Sequence, residues 1–171
     1  MEGSFAGMES KQIRESKPQA NRIISEYITD ENVKNPLLQF LEWLNAKGVF
    51  PLYSEFEGQD PFWEITYRDK THFIVWNGKE NICIMLKTTF ANEVQAVIAE
   101  NNLQDIVLAN LQYCSRSSGD ECNNCHIPSH IAGVDAVIFG KEIKNLCCGQ
   151  FISFNNPSSE IIEGIKKLME L

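Results

Sequence analysis

The sequence lacks the features by which several common classes of protein are recognised. No run of Lys or Arg exceeds two residues in a chain of 171 residues with a net charge of −8, so binding of nucleic acid through a broad basic face is not expected. No apolar run is long enough to span a bilayer. Residues 1–9 have neither a cationic start nor an apolar core, unlike a secretory signal. We therefore expect a cytoplasmic protein with no nucleic-acid or membrane partner.

The motifs of several large enzyme families are also absent. The chain contains no H-E-x-x-H, no G-x-S-x-G, no P-loop and no dinucleotide-binding glycine motif. Zinc deaminases need H-x-E followed by P-C-x-x-C, but Glu121 precedes Cys122, and Ile74 stands where His72 would need a glutamate. The sequence therefore leaves it open whether the protein is an enzyme.

The composition is that of a globular domain with a tail. Apolar residues make up 43% of the chain and aromatic residues 10%, so an ordinary core is available without metal or disulfides. Residues 1–18 are polar, with no clear periodicity, and predict a mobile tail. Residues 19–171 are expected to form a single domain.

Apolar periodicity predicts a mixture of helices and strands. Helical spacing recurs at 19–29, 36–47, 91–100, 103–113 and 157–169, and a period of two at 49–53, 62–68, 71–76, 82–86, 134–139 and 151–154. Strands follow one another in hairpins rather than alternating with helices. This order predicts an α+β fold, with an antiparallel sheet of about five strands and helices packed on one face.

Two Asn-Pro pairs predict where helices begin. Asn35 is expected to cap a helix whose first residue is Pro36, and Asn156 to cap the last helix with Pro157 in its first turn.

A cysteine-rich segment at 113–149 is the most distinctive stretch of the chain. It holds five of the six cysteines and two of the three histidines. In a reducing compartment, clustered cysteines are more often metal ligands or redox groups than disulfides. The spacing C-x7-C-x2-C-x21-C offers one tight C-x-x-C pair and two single thiols, a set that can complete a tetrahedral zinc site. The predicted zinc ligands are Cys114, Cys122, Cys125 and Cys147.

Alternatives remain open within the same segment. Cys148 adjoins Cys147, but successive side chains of an extended segment point to opposite sides, so Cys147 is preferred. His126 or His130 can replace any of the four thiols, because imidazole is an equally good zinc ligand. The segment can instead hold free thiols without metal, or a redox pair at Cys122 and Cys125.

Several other residues have both a functional and a structural interpretation. Aromatic residues of the strands can line a small-molecule pocket or fill the core: Phe62, Trp63, Tyr67, Phe73 and Trp76. A catalytic carboxylate among Glu55, Glu57 and Glu64 is weighed against ordinary solvated glutamates. We expect His72 to be a packing or surface residue and Cys83 to be a buried apolar one.

Four stretches of the chain are distinctive: I-F-G-K-E-I-K-N-L-C at 138–147, the strand W-E-I-T-Y at 63–67, Asn156-Pro157 and the ending I-K-K-L-M-E-L. In these stretches the chain resembles a group of small uncharacterised bacterial proteins. Those proteins share a W-x-(I/V)-x-Y strand, a multi-cysteine loop and a G-K-E-x-x-N-x-C turn. The resemblance covers about residues 35–171. It implies a bacterial origin and a fold like the small α+β domains of the YjbR and YdhG type, with Cys147 rather than Cys148 at the shared cysteine, and it implies no activity.

The leading hypothesis is a module stabilised by structural zinc that binds or senses a small molecule or a protein partner. The alternative is a thiol-based redox enzyme or sensor that uses Cys122 and Cys125.

Overall fold

The structure is a computed structural model, and it describes residues 19–54, 60–78, 81–114, 133–147 and 151–171. The predicted tail at 1–18 lies outside these residues. The described elements, in chain order, are α1 (Ala20–Tyr27), α2 (Glu31–Ala46), β1 (Leu52–Ser54), β2 (Phe62–Tyr67), β3 (Lys70–Trp76), β4 (Ile82–Lys87), α3 (Asn92–Glu100), α4 (Gln104–Ala109), β5 (Val134–Ile138), β6 (Lys141–Leu146), β7 (Phe151–Asn155) and α5 (Ser159–Met169).

The main sheet has five antiparallel strands in the order β1-β2-β3-β4-β7. The strands β1 to β4 form a meander. Arg68 and Asp69, both with positive φ, make the two-residue turn between β2 and β3, which suits the right-handed twist of the paired strands. The predicted α+β class with an antiparallel sheet is therefore confirmed.

The inner face of the sheet, the face that the helices cover, carries the core. Side chains alternate between the two faces of a strand, and the register places Trp63, Ile74, Ile84 and Phe154 side by side across four strands. All four are buried. Ring contacts join helices to this face: α1 contributes Tyr27 against Trp76, and α2 contributes Trp43 against Tyr67, with ring centroids 5.0 and 5.8 Å apart.

The start of α2 differs from the prediction. The helix begins at Glu31, capped by Asp30, whose carboxylate accepts the N–H of Asn32 at 2.9 Å. Pro36 lies inside the helix and is buried in its apolar face. The prediction that Asn35 caps this helix was wrong, because Asp30 is an equally good cap one and a half turns earlier.

The last helix also begins later than predicted. Its N-cap is Ser158, whereas Asn156 adopts a positive φ and turns back to β4. The side chain of Asn156 accepts the N–H of Ile82 at 2.9 Å, and its backbone N–H donates to the carbonyl of Ile82 at 2.8 Å. Asn156 therefore ties β7 to the start of β4.

The strands β5 and β6 form a separate two-stranded sheet. The predicted strand at 134–139 thus belongs to this hairpin and not to the main sheet. Its tip is attached to α3 through Gln95, whose amide donates to the carbonyl of Val137 at 3.1 Å and accepts from the N–H of Phe139 at 2.7 Å.

Candidate metal centre

Two of the four predicted metal ligands lie where the two sheets meet. The segment 111–114 forms an antiparallel bridge with β7 at Leu111 and another with β6 at Tyr113. Helical spacing predicted a helix over 103–113, which would have placed Cys114 at its end. Helix α4 ends already at Ala109, so an extended segment carries Cys114. The cysteine therefore sits on backbone that pairs on both sides.

The bridge between Tyr113 and Leu146 fixes the relation of Cys114 to Cys147. The N–H of Cys114 donates to the carbonyl of Asn145, and the N–H of Cys147 donates to the carbonyl of Gln112, each at 2.8 Å. This pattern makes Cys114 and Cys147 diagonal neighbours, for which antiparallel pairing gives a separation of about 7–8 Å.

That diagonal separation favours a shared metal ion over a direct disulfide. A disulfide needs Cα atoms closer than about 7 Å, whereas a zinc ion places an extra atom between the sulfurs and two Zn–S bonds of about 2.3 Å each. Cys114 and Cys147 are both free thiols in the structure. Two thiols in this relation are compatible with a shared zinc ion, and the zinc site itself stays a prediction.

Asn145 holds the backbone of Cys114 from both sides. Besides accepting the N–H of Cys114 through its carbonyl, Asn145 donates its side-chain amide to the carbonyl of Cys114 at 2.8 Å. Its φ of +58° is one that asparagine tolerates better than most residues. A register irregularity between Val134 and Ala136 accompanies this conformation, as in a β-bulge.

Asp135 on β5 and Gly133, which directly precedes β5, lie against the same bulge. Asp135 accepts the N–H of Asn145 and pairs with Lys144, with both contacts at 3.0 Å. These contacts hold the pKa of the Asp135 carboxyl below its usual value, first through the Asn145 N–H and then through Lys144. Gly133 has a φ of +76°, and a Cβ at this position would collide with the side chain of Asn145.

Burial and charge differ between the two cysteines. Cys114 is only 4% exposed, and Cys147 is half-buried. Lys144, three residues before Cys147, pairs with Asp135 across the hairpin. Lys141 is exposed in the first position of β6.

The remaining predicted ligands are not part of the described residues. Cys122 and Cys125, together with His126, His130 and Cys148, lie at 115–132 and 148–150. Among the residues that the structure does describe, no group of three or more His, Cys, Asp or Glu side chains is placed to hold a metal ion. The complete ligand set therefore stays a prediction.

The other singled-out residues lie away from this centre. Cys83 is buried in β4, where burial raises the pKa of its thiol, in agreement with its expected role as an apolar residue. His72 is buried on the inner face of β3 and is a packing residue. Glu64 is half-buried in β2, while Glu55 and Glu57 lie outside the described ranges.

The aromatic residues of the strands do not line one pocket. Strand alternation puts Trp63, Tyr67 and Trp76 on the inner face and Phe62 and Phe73 on the opposite face. The first group packs with the helices, which is the core interpretation.

Sequence reasoning missed Asn145, Asp135 and Gly133 as supports of the centre. The available signal was an asparagine directly before the Leu146-Cys147 pair, in a run that otherwise reads as a strand, where asparagine is unusual.

No protein-family model matches the chain, and no curated protein or solved structure was found to be significantly similar to it. The resemblance to small YjbR-like bacterial proteins therefore stays a prediction. Within the described ranges, none of the helices combines the length and apolar character needed to cross a bilayer.

Proposed function

We propose that the protein is a binding or sensing module whose cysteine-rich segment at 113–149 is held by structural zinc. Cys114 and Cys147 supply two thiolates from paired backbone, and Cys122 and Cys125 supply the C-x-x-C pair. The observation that carries the proposal is the register at Tyr113 and Leu146, which sets Cys114 and Cys147 on the diagonal of one antiparallel bridge.

The surroundings of Cys114 support a structural role for the metal. The backbone N–H and carbonyl of Cys114 are both bonded to Asn145, so the backbone that carries this thiol is held without a metal ion. A structural zinc site is a closed set of four protein ligands, whereas a catalytic site keeps one position open. Four thiols within the one segment, counting Cys122 and Cys125, match the closed kind.

The position of the site predicts what the metal stabilises. Cys114 and Cys147 lie at the junction between the main sheet and the β5–β6 hairpin, while the core cluster of the main sheet is built from apolar residues. We therefore expect removal of zinc to loosen the junction and leave the main sheet folded.

Metal analysis tests the proposal. Protein purified without chelator or added metal is analysed by mass spectrometry, beside Cys114→Ala, Cys147→Ala and a Cys122→Ser/Cys125→Ser variant. Cys83→Ala is the matched control, because Cys83 is also a buried thiol but lies in β4. About one zinc per chain is expected in the parent and the control, and none in the other three.

Two results would contradict the proposal. Absence of metal from the parent protein would exclude the zinc site. Rapid alkylation of Cys122 or Cys125 in the native protein, unchanged by a chelator, would favour the alternative of a thiol-based redox protein.

A further inference from the structure

The outer face of the main sheet, opposite the helices, carries an apolar patch among polar residues. By the same register the polar residues on this face are Ser54, Glu64, Thr66, Thr71, Lys87, Ser153 and Asn155. Register and alternation place six apolar residues on it, with Phe50 two residues before the first of them. The ring of Phe73 lies 5.6 Å from Phe62 on one side and 5.6 Å from Phe151 on the other. The six residues are Leu52, Phe62, Phe73, Val75, Met85 and Phe151.

Burial differs between the two faces along β1 to β3, whereas Cys83 of β4 and Ser153 of β7 are buried on the outer face as well. The inner-face residues Trp63 and Ile74 are fully buried, whereas Phe73 and Met85 on the outer face are half-buried. Exposure is greatest at the β1 end, where Leu52 is 52% exposed and Phe50 is 67% exposed. The outer face of an antiparallel sheet is usually polar, and a contiguous exposed apolar patch marks an interaction surface.

One acidic residue stands within this apolar patch. Glu64 lies between Leu52 of β1 and Phe73 of β3 in the register. In the described part of the chain, no hydrogen bond or ion pair engages its carboxylate. A cation brought by a partner would stabilise this half-buried carboxylate.

The net charge of the chain and the structure of the β1 edge limit which kind of partner can bind. A second copy of this chain would bring another net charge of −8 and, in a two-fold pairing of the same faces, a second Glu64. Pairing along the edge of the sheet is also disfavoured, because β1 has three residues and follows Pro51, which has no N–H to donate. The partner therefore binds on the face and carries positive charge.

We propose that the outer face binds an amphipathic helix of a partner protein, with a Lys or Arg of that helix placed against Glu64. Five strands spaced about 4.8 Å apart make a platform about 19 Å wide between the outermost strands, enough for a helix about 10 Å in diameter. Helices of this chain already pack in this way on the inner face. The bound state has three layers, with the sheet between helices.

The inference deepens the proposed function by naming the partner, and it rests on that function only in taking the chain to be a binding module. It does not depend on the metal. The zinc content of each preparation is therefore recorded beside the binding measurement. Binding by a chain without zinc would refute the zinc site alone, and a zinc-loaded chain that does not bind would refute the helix site alone.

The test uses a synthetic amphipathic Leu/Lys helix of about five turns, labelled with a fluorophore and titrated with the full chain by anisotropy. The variants are Phe50→Ser/Leu52→Ser and Glu64→Gln. The matched controls are Val137→Ser, which removes an apolar residue 58% exposed on the separate hairpin, and Glu142→Gln, an exposed glutamate beside it in the register.

The double variant is expected to weaken binding at least about tenfold, because two apolar anchors are lost. Glu64→Gln should weaken it about two- to fivefold at low salt and reduce its dependence on ionic strength. Both controls should bind like the parent protein, and circular dichroism should show that every variant is folded.

Three outcomes would overturn the proposal. One is equal binding by the double variant and the Val137→Ser control. Another is equally tight binding of a peptide in which every Lys is replaced by Glu. The third is a parent protein that sediments as a dimer and becomes monomeric in the double variant, which would assign the face to a second copy.

Discussion

A buried histidine in the main sheet makes the free energy of unfolding depend on pH, and the size of this dependence can be worked out from the structure. His72 is 2% exposed and lies on the inner face beside Ile65. Its Nδ1 accepts the N–H of Lys87 at 3.2 Å, while its Nε2 is buried and has no hydrogen-bond partner among the residues that the structure describes. The neutral ring therefore carries its proton on Nε2, and a second proton would charge the core.

Burial, with a smaller contribution from the charge of Lys70, lowers the pKa of His72 from 6.5 to about 4. Above pH 6.5 the ring is neutral in the folded and the unfolded chain, and the full stability is present. As the pH falls from 6.5 to about 4, the unfolded chain binds a proton that the folded chain does not. Stability then falls by about 1.4 kcal/mol per pH unit, to a total of about 3 kcal/mol.

The assay is urea unfolding followed by tryptophan fluorescence at several values between about pH 7 and pH 5, a range in which the loss from His72 is about 2 kcal/mol. Two variants remove the titration. His72→Asn keeps an acceptor near Nδ1, and His72→Phe fills the space without a ring nitrogen. Other titrating groups are common to the three proteins and cancel in the difference.

The parent protein should lose about 2 kcal/mol more than either variant over this range. The two variants should share one pH dependence, although their stabilities at neutral pH differ. Parallel curves for the parent and both variants would refute the reasoning, because His72 would then titrate alike in the folded and the unfolded chain.

Gly133→Ala should lower the free energy of unfolding by about 1–3 kcal/mol, since Gly133 has a positive φ and a blocked Cβ position. Gly140→Ala, with a similar φ and open space around it, should cost less in the same urea titration. Asn145→Ala removes a side-chain hydrogen bond and a residue that tolerates its φ of +58°, and should lower zinc content as well as stability. Phe154→Ala should cost about 3–5 kcal/mol in thermal or urea unfolding, whereas Phe50→Ala, at an exposed site, should stay within about 0.5 kcal/mol.

Local signals in the sequence predicted most of the elements. The apolar periods located all five described helices and the strands of the meander, because each element buries one face against a common core. The N-cap residues of the helices were predicted less well than the helices themselves. Asp30 and Asn35 are equally good helix starts by residue type, and only tertiary packing of the turn between them selects the earlier one.

Pairing between distant strands was not readable from local patterns. The runs at 134–139 and 151–154 both have strand character, yet the first forms the β5–β6 hairpin and the second pairs with β4. The two strands differ in whether both of their faces are buried. Strand β7 has buried residues on both of its faces, whereas β5 is exposed at alternate positions. That difference depends on the assembled sheet.

For the candidate site, the sequence predicted a ligand set, which stays a prediction, and it could not predict the geometry of the two described cysteines. Spacing alone cannot show that Cys114 and Cys147, separated by a long stretch of chain, are diagonal neighbours. The relation arises from the bridge at Tyr113 and Leu146, next to Asn145 with its positive φ. Whether Cys122 and Cys125 complete a zinc site with these two thiols stays a prediction.

The pairing of β4 with β7 also sets the order in which the chain can fold. The strands β1 to β4 meet through short turns, but β7 arrives only after the whole excursion from Thr88 to Gln150. Closing so long a loop is entropically costly, so contacts of this kind form late and slow the folding rate. Until then β4 is an open edge rich in Ile, Met and Leu, which makes the partly synthesised chain prone to aggregation. Strand β7 thus covers the edge of β4 that the preceding strands leave exposed.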